Sequence, residues 1–260
     1  MFLTGMIREL INLMIASMIF FPIKDFSLKP DQFGLIAKDV FVKTQDGVKL
    51  HGWFFPVKNS RLCLLIFHGN ADNISIRLPK AKAWVDRGVS VLLMDYRGYG
   101  KSEGEIKSAN DLVQDAKASL AWLKAENYIP SQIILYGESI GSVPAIELAA
   151  NEKFKAIILE APFTSLKDVA KLIYGIVPDF MLKDFEMNNE AKIPQLKTPV
   201  LILQGTEDEV VPFSMGQRLF QKAPEPKSFF EIKSGHHNDL AEKAGEAYYT
   251  KPYDFAFQSA

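Results

Sequence analysis

Short, almost uninterrupted apolar runs recur along most of this 260-residue chain, and amphipathic stretches separate them. A strand that is buried on both faces has this composition, because helices cover the two sides of a parallel sheet. Two further runs flank Asp46-Gly47, a dipeptide suited to a tight hairpin turn. The eight predicted strands cover residues 39–43, 48–55, 62–67, 89–94, 132–136, 155–159, 200–203 and 228–232.

Helical patterns fill most of the intervals between these runs. A hairpin followed by repeated strand–helix units predicts an α/β fold, with a mostly parallel eight-stranded sheet and helices on both faces. The long interval at 164–198 breaks the rhythm and is expected to form a small helical cap, although an amphipathic helix that fills the core is an alternative. The predicted helices cover residues 74–86, 109–126, 140–150, 213–222 and 239–249.

Charge and cysteine content exclude several classes of protein. The chain has 30 basic and 31 acidic residues, a net charge of −1 and no basic run, so we expect no nucleic-acid binding. The single cysteine, Cys63, excludes an internal disulfide and lies in a predicted buried strand, where a structural thiol is expected. No metal-ligand cluster, phosphate-binding loop or dinucleotide fingerprint is present, so we expect neither metal nor cofactor.

Residues 10–23 are uncharged and rich in Leu, Ile, Met and Phe. As a helix they would rise only about 20 Å, less than the roughly 30 Å hydrocarbon core of a bilayer, and extension to residue 1 takes in Arg8 and Glu9. The pattern favours a helix that lies in the membrane interface or pairs with another copy of itself. A helix packed on the protein's own surface and a cleaved signal peptide are alternatives. We therefore expect an apolar helix at 1–24 and a main domain at 25–260, associated with a membrane through the helix and otherwise cytoplasmic.

The predicted strand at 132–136 runs into Gly137-Glu138-Ser139-Ile140-Gly141, and a predicted helix follows. Gly-x-Ser-x-Gly between a strand and a helix is the signature of a nucleophile elbow, in which a sharp turn presents the serine hydroxyl at the C-terminal end of the sheet. The two glycines leave room where the backbone is crowded. Ser139 is therefore the predicted nucleophile.

A serine hydroxyl is a weak nucleophile near neutral pH, so it needs a base and a group that orients the base. The acid and the histidine are expected later in the chain, each after a strand. Among the acids that follow residues 200–203, Asp208 is favoured over Glu207 and Glu209, because it has a short side chain and stands directly after the predicted turn. Of the two histidines after residues 228–232, we favour His237, with His236 as the alternative.

The oxyanion formed during acyl transfer needs two preorganised N–H donors. The N–H of Ile140 is one candidate, because it opens the helix after the nucleophile. The loop after residues 62–67 supplies the second: Gly69 allows close approach of the backbone, and the N–H of Asn70 is the predicted donor. His68 precedes the donor and is expected to be a structural residue rather than a base.

These motifs together resemble the α/β-hydrolases, and within them the membrane-tethered α/β-hydrolase-domain proteins that include protein depalmitoylases and related bacterial hydrolases. The resemblance covers about residues 21–239. In that family the last motif reads Gly-His-Asn-Asp, which aligns its catalytic histidine with His237, whereas His236 stands where glycine is usual. The motifs that carry the resemblance are Phe21-Pro22, Phe33-Gly34-Leu35, Asp46-Gly47-Val48-Lys49-Leu50, Gly52-Trp53, His68-Gly69-Asn70-Ala71, the run from Asp95 to Gly104, Gly137 to Gly141, Asp208 to Pro212, and Gly235-His236-His237-Asn238-Asp239.

The resemblance implies the α/β-hydrolase fold and esterase or thioesterase chemistry on an acyl substrate, either a small or lipid-like molecule or an acylated protein. The aspartate and arginine of the Asp95–Gly104 run are expected to hold the loop beneath the site. Aromatic and aliphatic residues of the cap, with Tyr174, Phe180 and Met181 among them, are expected to line an apolar acyl pocket. The alternatives are a serine peptidase and a noncatalytic membrane- or protein-binding module, and the oligomeric state is not indicated.

Overall fold

An eight-stranded sheet forms the centre of the computed structural model, which describes residues 2–258, with side chains from residue 8 onward. The strands are β1 (Lys38–Lys43), β2 (Lys49–Phe55), β3 (Cys63–Phe67), β4 (Ser90–Met94), β5 (Ile133–Glu138), β6 (Ala156–Glu160), β7 (Val200–Gly205) and β8 (Lys227–Ile232). Their spatial order is β8-β7-β6-β5-β3-β4-β2-β1. The pairs β1–β2 and β2–β4 are antiparallel and the other pairs are parallel.

Helices cover both faces of this sheet, which is why the central strands are apolar on both sides. The helices are α1 (Phe2–Ile19), α2 (Leu78–Val85), α3 (Ala109–Ala125), α4 (Ser142–Asn151), α5 (Leu166–Tyr174), α6 (Asn189–Lys192), α7 (Phe213–Lys222), α8 (Leu240–Ala244) and α9 (Ala247–Gln258). Along β3, Leu65 and Phe67 pack into the core on one face, with α1, α3, α4 and α7, whereas Leu64 and Ile66 pack into the core on the other face, with α2, α8 and α9. The predicted mostly parallel α/β architecture is confirmed.

Two helix boundaries differ from the sequence-based prediction. The single helix predicted at 239–249 is two helices, α8 and α9, because Gly245 between them has a φ angle of +56° that a helix cannot continue through. The helix predicted at 74–86 begins as a 3-10 turn, Ile74–Arg77, before α2. Between β6 and β7 the chain forms α5, a 3-10 turn at Lys183–Phe185, α6 and a second 3-10 turn at Ile193–Gln195.

The first helix begins earlier than the apolar run and ends at Ile19, because Pro22 and the residue before it disfavour helix. Phe21–Pro22 pairs instead with Ala71–Asp72. Ile15, Ala16 and Phe20 are buried against the main domain, while other apolar side chains of α1 remain exposed. Within residues 2–258 no helix combines the length and the apolar content that crossing a bilayer requires.

Candidate active site

Ser139 lies on a sharp turn between β5 and α4. Its φ angle is +49°, in the left-handed region that costs a residue with a Cβ atom about 1–2 kcal/mol. Two glycines allow this turn: a Cβ atom on Gly137 would lie 2.6 Å from the carbonyl oxygen of Gly141, and one on Gly141 would lie 2.1 Å from that of Phe67. The Gly-x-Ser-x-Gly spacing therefore has a steric cause in this fold.

A buried asparagine that no sequence motif signals supports the turn from the segment between β6 and β7. The Ser142 hydroxyl donates to the carbonyl oxygen of Ser139 at 2.6 Å. Asn189, 1% exposed, donates its amide to the Ser142 hydroxyl at 2.9 Å and to the Phe163 carbonyl at 3.0 Å. Because these partners are 47 and 26 positions away in the chain, only the tertiary structure identifies the role of Asn189.

The carboxylate of Asp208 is buried at the end of β7, and four groups fix its orientation. One oxygen accepts the N–H groups of Val210 and Val211 at 3.0 and 2.7 Å. The other lies 3.0 Å from the Gln204 amide nitrogen, which donates to it, and 2.8 Å from Nδ1 of His237. Since a carboxylate only accepts hydrogen bonds, this contact assigns the Nδ1–H tautomer to a neutral His237 and leaves Nε2 able to accept a proton.

The competing residues identified in the sequence are not part of this arrangement. Glu207 and Glu209 are exposed, with 56% and 61% of their side-chain surface accessible. His236 is also exposed, and its Nδ1 lies 3.1 Å from Glu209, whose hydrogen bond raises the pKa of the imidazole. The structure therefore brings His237, and not His236, to Asp208.

Asn70 connects the loop after β3 to the N-terminal helix. Its side-chain amide donates to the last carbonyl of α1, that of Ile19, at 2.8 Å. Its carbonyl accepts the N–H of Phe21 at 2.9 Å and the hydroxyl of Tyr99 at 2.6 Å. The Asn70 N–H has no hydrogen-bond partner in the described part of the chain, and Ile140 is within the first helical turn after the nucleophile, where N–H groups have no intrahelical acceptor.

His68, which precedes this loop, is buried and packs on the ring of Tyr96. Its Nδ1 lies 2.7 Å from the carbonyl oxygen of Gly69, and burial lowers the pKa of the imidazole to about 3. Nε2 lies 3.7 Å from Asp95, whose carboxylate accepts the Ile74 N–H at 2.9 Å. Burial raises the pKa of Asp95 to about 7. These contacts hold the loop after β3, as expected of a structural histidine.

Arg97, two residues after Asp95 in the chain, is also buried. Its guanidinium and its backbone N–H donate to the carboxylate of Asp115 on α3 at 2.7–2.9 Å. The guanidinium also donates to the carboxylate of Asp46 in the hairpin turn at 2.7 Å. The Asp95–Gly104 run is therefore tied to the sheet, to α3 and to the β1–β2 hairpin.

A cluster of buried charges lies beside the nucleophile, and sequence reasoning missed it. Glu138, the residue before Ser139, binds Arg77 at 2.9 Å and also binds the ammonium of Lys80. Lys80 reaches Glu160, at the end of β6, at 2.6 Å. Although burial alone would raise the pKa of Glu138, Lys80 and Arg77 outweigh it and hold that pKa well below its usual range. The only sequence signal is a charged residue inside the Gly-x-Ser-x-Gly motif.

Two cavities meet at Ser139. The larger, of about 670 Å³, lies between α1 and α5 and has an almost entirely apolar wall that reaches Ile140. The smaller, of about 420 Å³, contains Ser139 and His237 together with the charged cluster. No hydrogen bond joins the side chains of Ser139 and His237 in the described part of the chain, but both face this second cavity.

Only two of the three residues that were expected to line the acyl pocket do so in the structure. Tyr174 and Met181 line the larger cavity. Phe180 lies outside it, is 68% exposed, and lines a separate surface groove with Lys167 and Asp179. Residues of α1 that the sequence did not suggest take its place in the wall: Met14, Ile15, Met18 and Ile19. No three His, Cys, Asp or Glu side chains in residues 2–258 converge as a metal site would require.

Comparisons with known proteins agree with this fold. Residues 58–183 match the family model described as serine aminopeptidase S33, Hydrolase_4. An uncharacterised protein of Mycobacterium tuberculosis is 38% identical over 206 residues, which cover 78% of this chain and 73% of that protein. The alpha/beta hydrolase domain-containing protein WAV2 of Arabidopsis thaliana is 33% identical over 255 residues, which cover 89% and 82% of the two chains. An esterase structure from Pyrococcus furiosus superposes with a TM-score of 0.77 at 22% identity and covers 92% of this chain and 98% of that one.

Proposed function

Because the chain belongs to the α/β-hydrolase superfamily, we propose that it is a serine hydrolase that cleaves carboxylic ester or thioester bonds of acyl substrates. The triad is Ser139, His237 and Asp208. The observation that carries the proposal is the presence, in one cavity, of a serine held at a left-handed turn and an imidazole whose Nδ1 is fixed by a buried carboxylate.

In the proposed reaction the Ser139 hydroxyl attacks the acyl carbonyl while Nε2 of His237 takes its proton. Asp208 keeps the imidazole in the required tautomer and stabilises the imidazolium. The N–H groups of Asn70 and Ile140 hold the oxyanion. Hydrogen bonds between nucleophile and base often tighten only in the substrate complex. The absence of a hydrogen bond between the side chains of Ser139 and His237 in the described residues is therefore compatible with this mechanism. As the carbonyl re-forms, the bond to the leaving oxygen or sulfur breaks, and that atom takes the proton from Nε2 of His237 and departs as the alcohol or thiol. Water then attacks the acyl-enzyme in the same way, with His237 as the base, and releases the acid and the free Ser139 hydroxyl.

The substrate is an acyl chain that occupies the larger cavity. Burial of an aliphatic chain against apolar walls is favourable by about 25 cal/mol per Å² of apolar surface, and the wall of this cavity offers few polar groups that would lose hydrogen bonds to water. A lipid-like acyl molecule and an acylated protein both carry such a chain.

A fluorophosphonate probe and p-nitrophenyl octanoate test the enzymatic proposal. Ser139→Ala is expected to abolish labelling, and His237→Ala to lower kcat about 10⁴-fold or more. His236→Ala is the matched control and is expected to retain wild-type activity, because His236 is exposed and pairs with Glu209. Folded wild-type protein that neither reacts with the probe nor hydrolyses the ester would support the noncatalytic alternative.

The description of the matching family model favours a second candidate, a serine peptidase. The same triad would cleave an amide if the substrate's amine reached His237. Aminoacyl p-nitroanilides distinguish the two: a kcat/KM for anilides equal to or above that for octanoyl esters would replace the esterase proposal.

A matched pair of cap residues tests the acyl pocket. Tyr174 and Phe180 are both aromatic and mostly exposed, but only Tyr174 lines the larger cavity. Tyr174→Ala is therefore expected to change the dependence of kcat/KM on acyl chain length across p-nitrophenyl esters and acyl-cysteine thioesters, whereas Phe180→Ala is not. The pocket is misplaced if Phe180→Ala alone changes the profile.

We also propose that the protein associates with a membrane surface through α1, which would lie in the interface without crossing it. Leu10, Met14 and Met18 on α1 and Ile173 and Ile176 after β6 are 46% to 95% exposed, and four of these five side chains also line the larger cavity. A contiguous apolar surface of this kind favours an interfacial helix.

Flotation with phospholipid vesicles tests this second proposal. Ile176→Ser removes a 95% exposed apolar side chain from the surface, and is expected to weaken co-flotation. The control is Ile129→Ser, which removes a 57% exposed isoleucine at the start of the turn before β5. Equal binding by the two variants, or no flotation of the wild type, would contradict the proposal.

A further inference from the structure

The two cavities at Ser139 share very little of their walls. In the described part of the chain only Asn70 and Ser139 line both. The larger contains Ile140, one proposed oxyanion donor, and the smaller contains His237. A substrate bound across Ser139 must therefore place its two ends in chemically different environments.

The reaction itself assigns each end of the substrate. When Ser139 Oγ bonds to the carbonyl carbon, the carbonyl electron pair moves to oxygen and the serine proton moves to His237. As the carbonyl re-forms, the bond from carbon to the leaving oxygen or sulfur breaks, and that atom takes the proton from Nε2 of His237. The leaving atom must therefore lie beside His237, and His237 lines only the smaller cavity.

From this we infer that the smaller cavity, next to the buried charges, is the leaving-group subsite and accepts a compact, neutral, polar alcohol or thiol. The inference rests on the proposed serine hydrolase function. It narrows the substrate class to an apolar acyl chain joined to a polar leaving group, with the acyl chain in the larger cavity.

The charges in the wall of the smaller cavity are balanced and tightly held. Two cations, Arg77 and Lys80, face two carboxylates, Glu138 and Glu160, and these four side chains are only 8% to 13% exposed. The hydroxyl of Tyr248 also donates to Glu160 at 2.8 Å. With no net charge, such a wall favours a neutral polar group over an ion.

Arg77 supplies the donor that a polar leaving group needs. Its Nε binds Glu138, and its Nη1 donates to the carbonyls of Ala71 and Asn73 at 3.1 and 3.3 Å. Nη2 has no acceptor within the described residues, although the side chain is only 11% exposed. An apolar alcohol would displace water from this donor without replacing the hydrogen bond, which is unfavourable for a buried polar group.

Two octanoyl esters test the inference on the wild-type protein, so no variant has to fold. The leaving groups of 2-hydroxyethyl octanoate and propyl octanoate have the same number of heavy atoms and differ in a terminal hydroxyl or methyl. We expect kcat/KM to be about 5- to 30-fold higher for the hydroxyethyl ester, as one satisfied hydrogen bond implies. Equal values, or a preference for the propyl ester, would overturn the inference.

Matched variants then locate the effect. Ala241 lines the smaller cavity and Ala170 the larger. Ala241→Phe is expected to lower the hydroxyethyl-to-propyl ratio and to leave the ratio of octanoyl to butanoyl p-nitrophenyl esters unchanged, and Ala170→Phe to do the reverse. The opposite outcome would exchange the two subsites and refute the inference.

Labelling by a fluorophosphonate separates the two levels of the hypothesis. If the wild type reacts with the probe and hydrolyses p-nitrophenyl octanoate but does not discriminate between the two octanoyl alcohols, the subsite assignment is wrong and the hydrolase stands. If neither reaction occurs with folded protein, the proposed function fails and the subsite assignment fails with it.

Discussion

Replacement of Asp208 by asparagine isolates the role of one buried carboxylate. Both of its oxygens accept hydrogen bonds, one from the N–H groups of Val210 and Val211 and the other from Gln204 and His237. Asparagine keeps one acceptor oxygen and places an NH₂ group where the second oxygen was. If the remaining oxygen stays on the two N–H groups, the NH₂ group faces His237 and must donate to Nδ1.

That exchange reverses the tautomer of the base. With Nδ1 accepting, the ring proton moves to Nε2, which can then no longer take the proton of Ser139. A tautomer reversal of this kind lowers kcat about 10⁴-fold, or about 5.5 kcal/mol of transition-state stabilisation. The NH₂ group also meets the donating amide of Gln204, which we expect to lower the free energy of unfolding by about 1–3 kcal/mol.

The assay is kcat for p-nitrophenyl octanoate, with the rate of fluorophosphonate labelling as an independent readout and urea denaturation for stability. Glu207→Gln and Glu209→Gln are the controls, because both side chains are exposed carboxylates next to Asp208 in the sequence. Each control is expected to stay within about twofold of the wild type. Retention of more than a tenth of wild-type kcat by Asp208→Asn, or an equal loss in either control, would refute the assignment.

Three further predictions concern the turn and the buried groups around it. Ser139→Gly should have a higher free energy of unfolding than Ser139→Ala by about 0.5–1 kcal/mol in urea, because glycine relieves the +49° φ angle; equal values would mean that the turn is unstrained. Gly141→Ala should lower stability by more than about 2 kcal/mol, because its Cβ atom would lie 2.1 Å from the carbonyl oxygen of Phe67, and an unchanged thermal midpoint would contradict this. Burial lowers the pKa of His68 to about 3, so its contribution to the free energy of unfolding falls as the pH drops below about 6.5. Burial raises the pKa of Asp95 to about 7, so its contribution falls as the pH rises from about 4 to 7. The two contributions therefore change with pH in opposite directions, each by up to about 1.4 kcal/mol per pH unit. Asp95→Asn should therefore make unfolding more acid-sensitive and His68→Gln less so, measured by urea denaturation between pH 4.5 and 6.5, and identical pH profiles for the two variants would refute this pairing.

Local patterns in the chain were enough to predict the architecture. Strands that helices cover on both faces are nearly continuous apolar runs, whereas strands with one exposed face alternate apolar and polar residues. The eight strands and their mostly parallel arrangement could therefore be predicted from hydrophobic periodicity and turn residues. The motif around Ser139 could also be recognised in the sequence, because its cause is local. A Cβ atom on either glycine would collide with the backbone of the next few residues or of the neighbouring strand. Boundaries were less accurate, as at Gly245, where one glycine divides the predicted last helix.

Contacts between distant segments were decided by the tertiary structure alone. The sequence offers no reason to separate Tyr174 from Phe180. In the folded chain residues of α1 and α5 line one cavity, and Tyr174 is in its wall, whereas Phe180 lies outside it on the surface. Likewise, Lys80 and Glu160 are 80 positions apart, yet they meet beside the nucleophile. Hydrophobic periodicity is a property of neighbouring residues and can be read from the chain, whereas a single buried ion pair or hydrogen bond between remote residues leaves no periodic trace and exists only once the chain has folded.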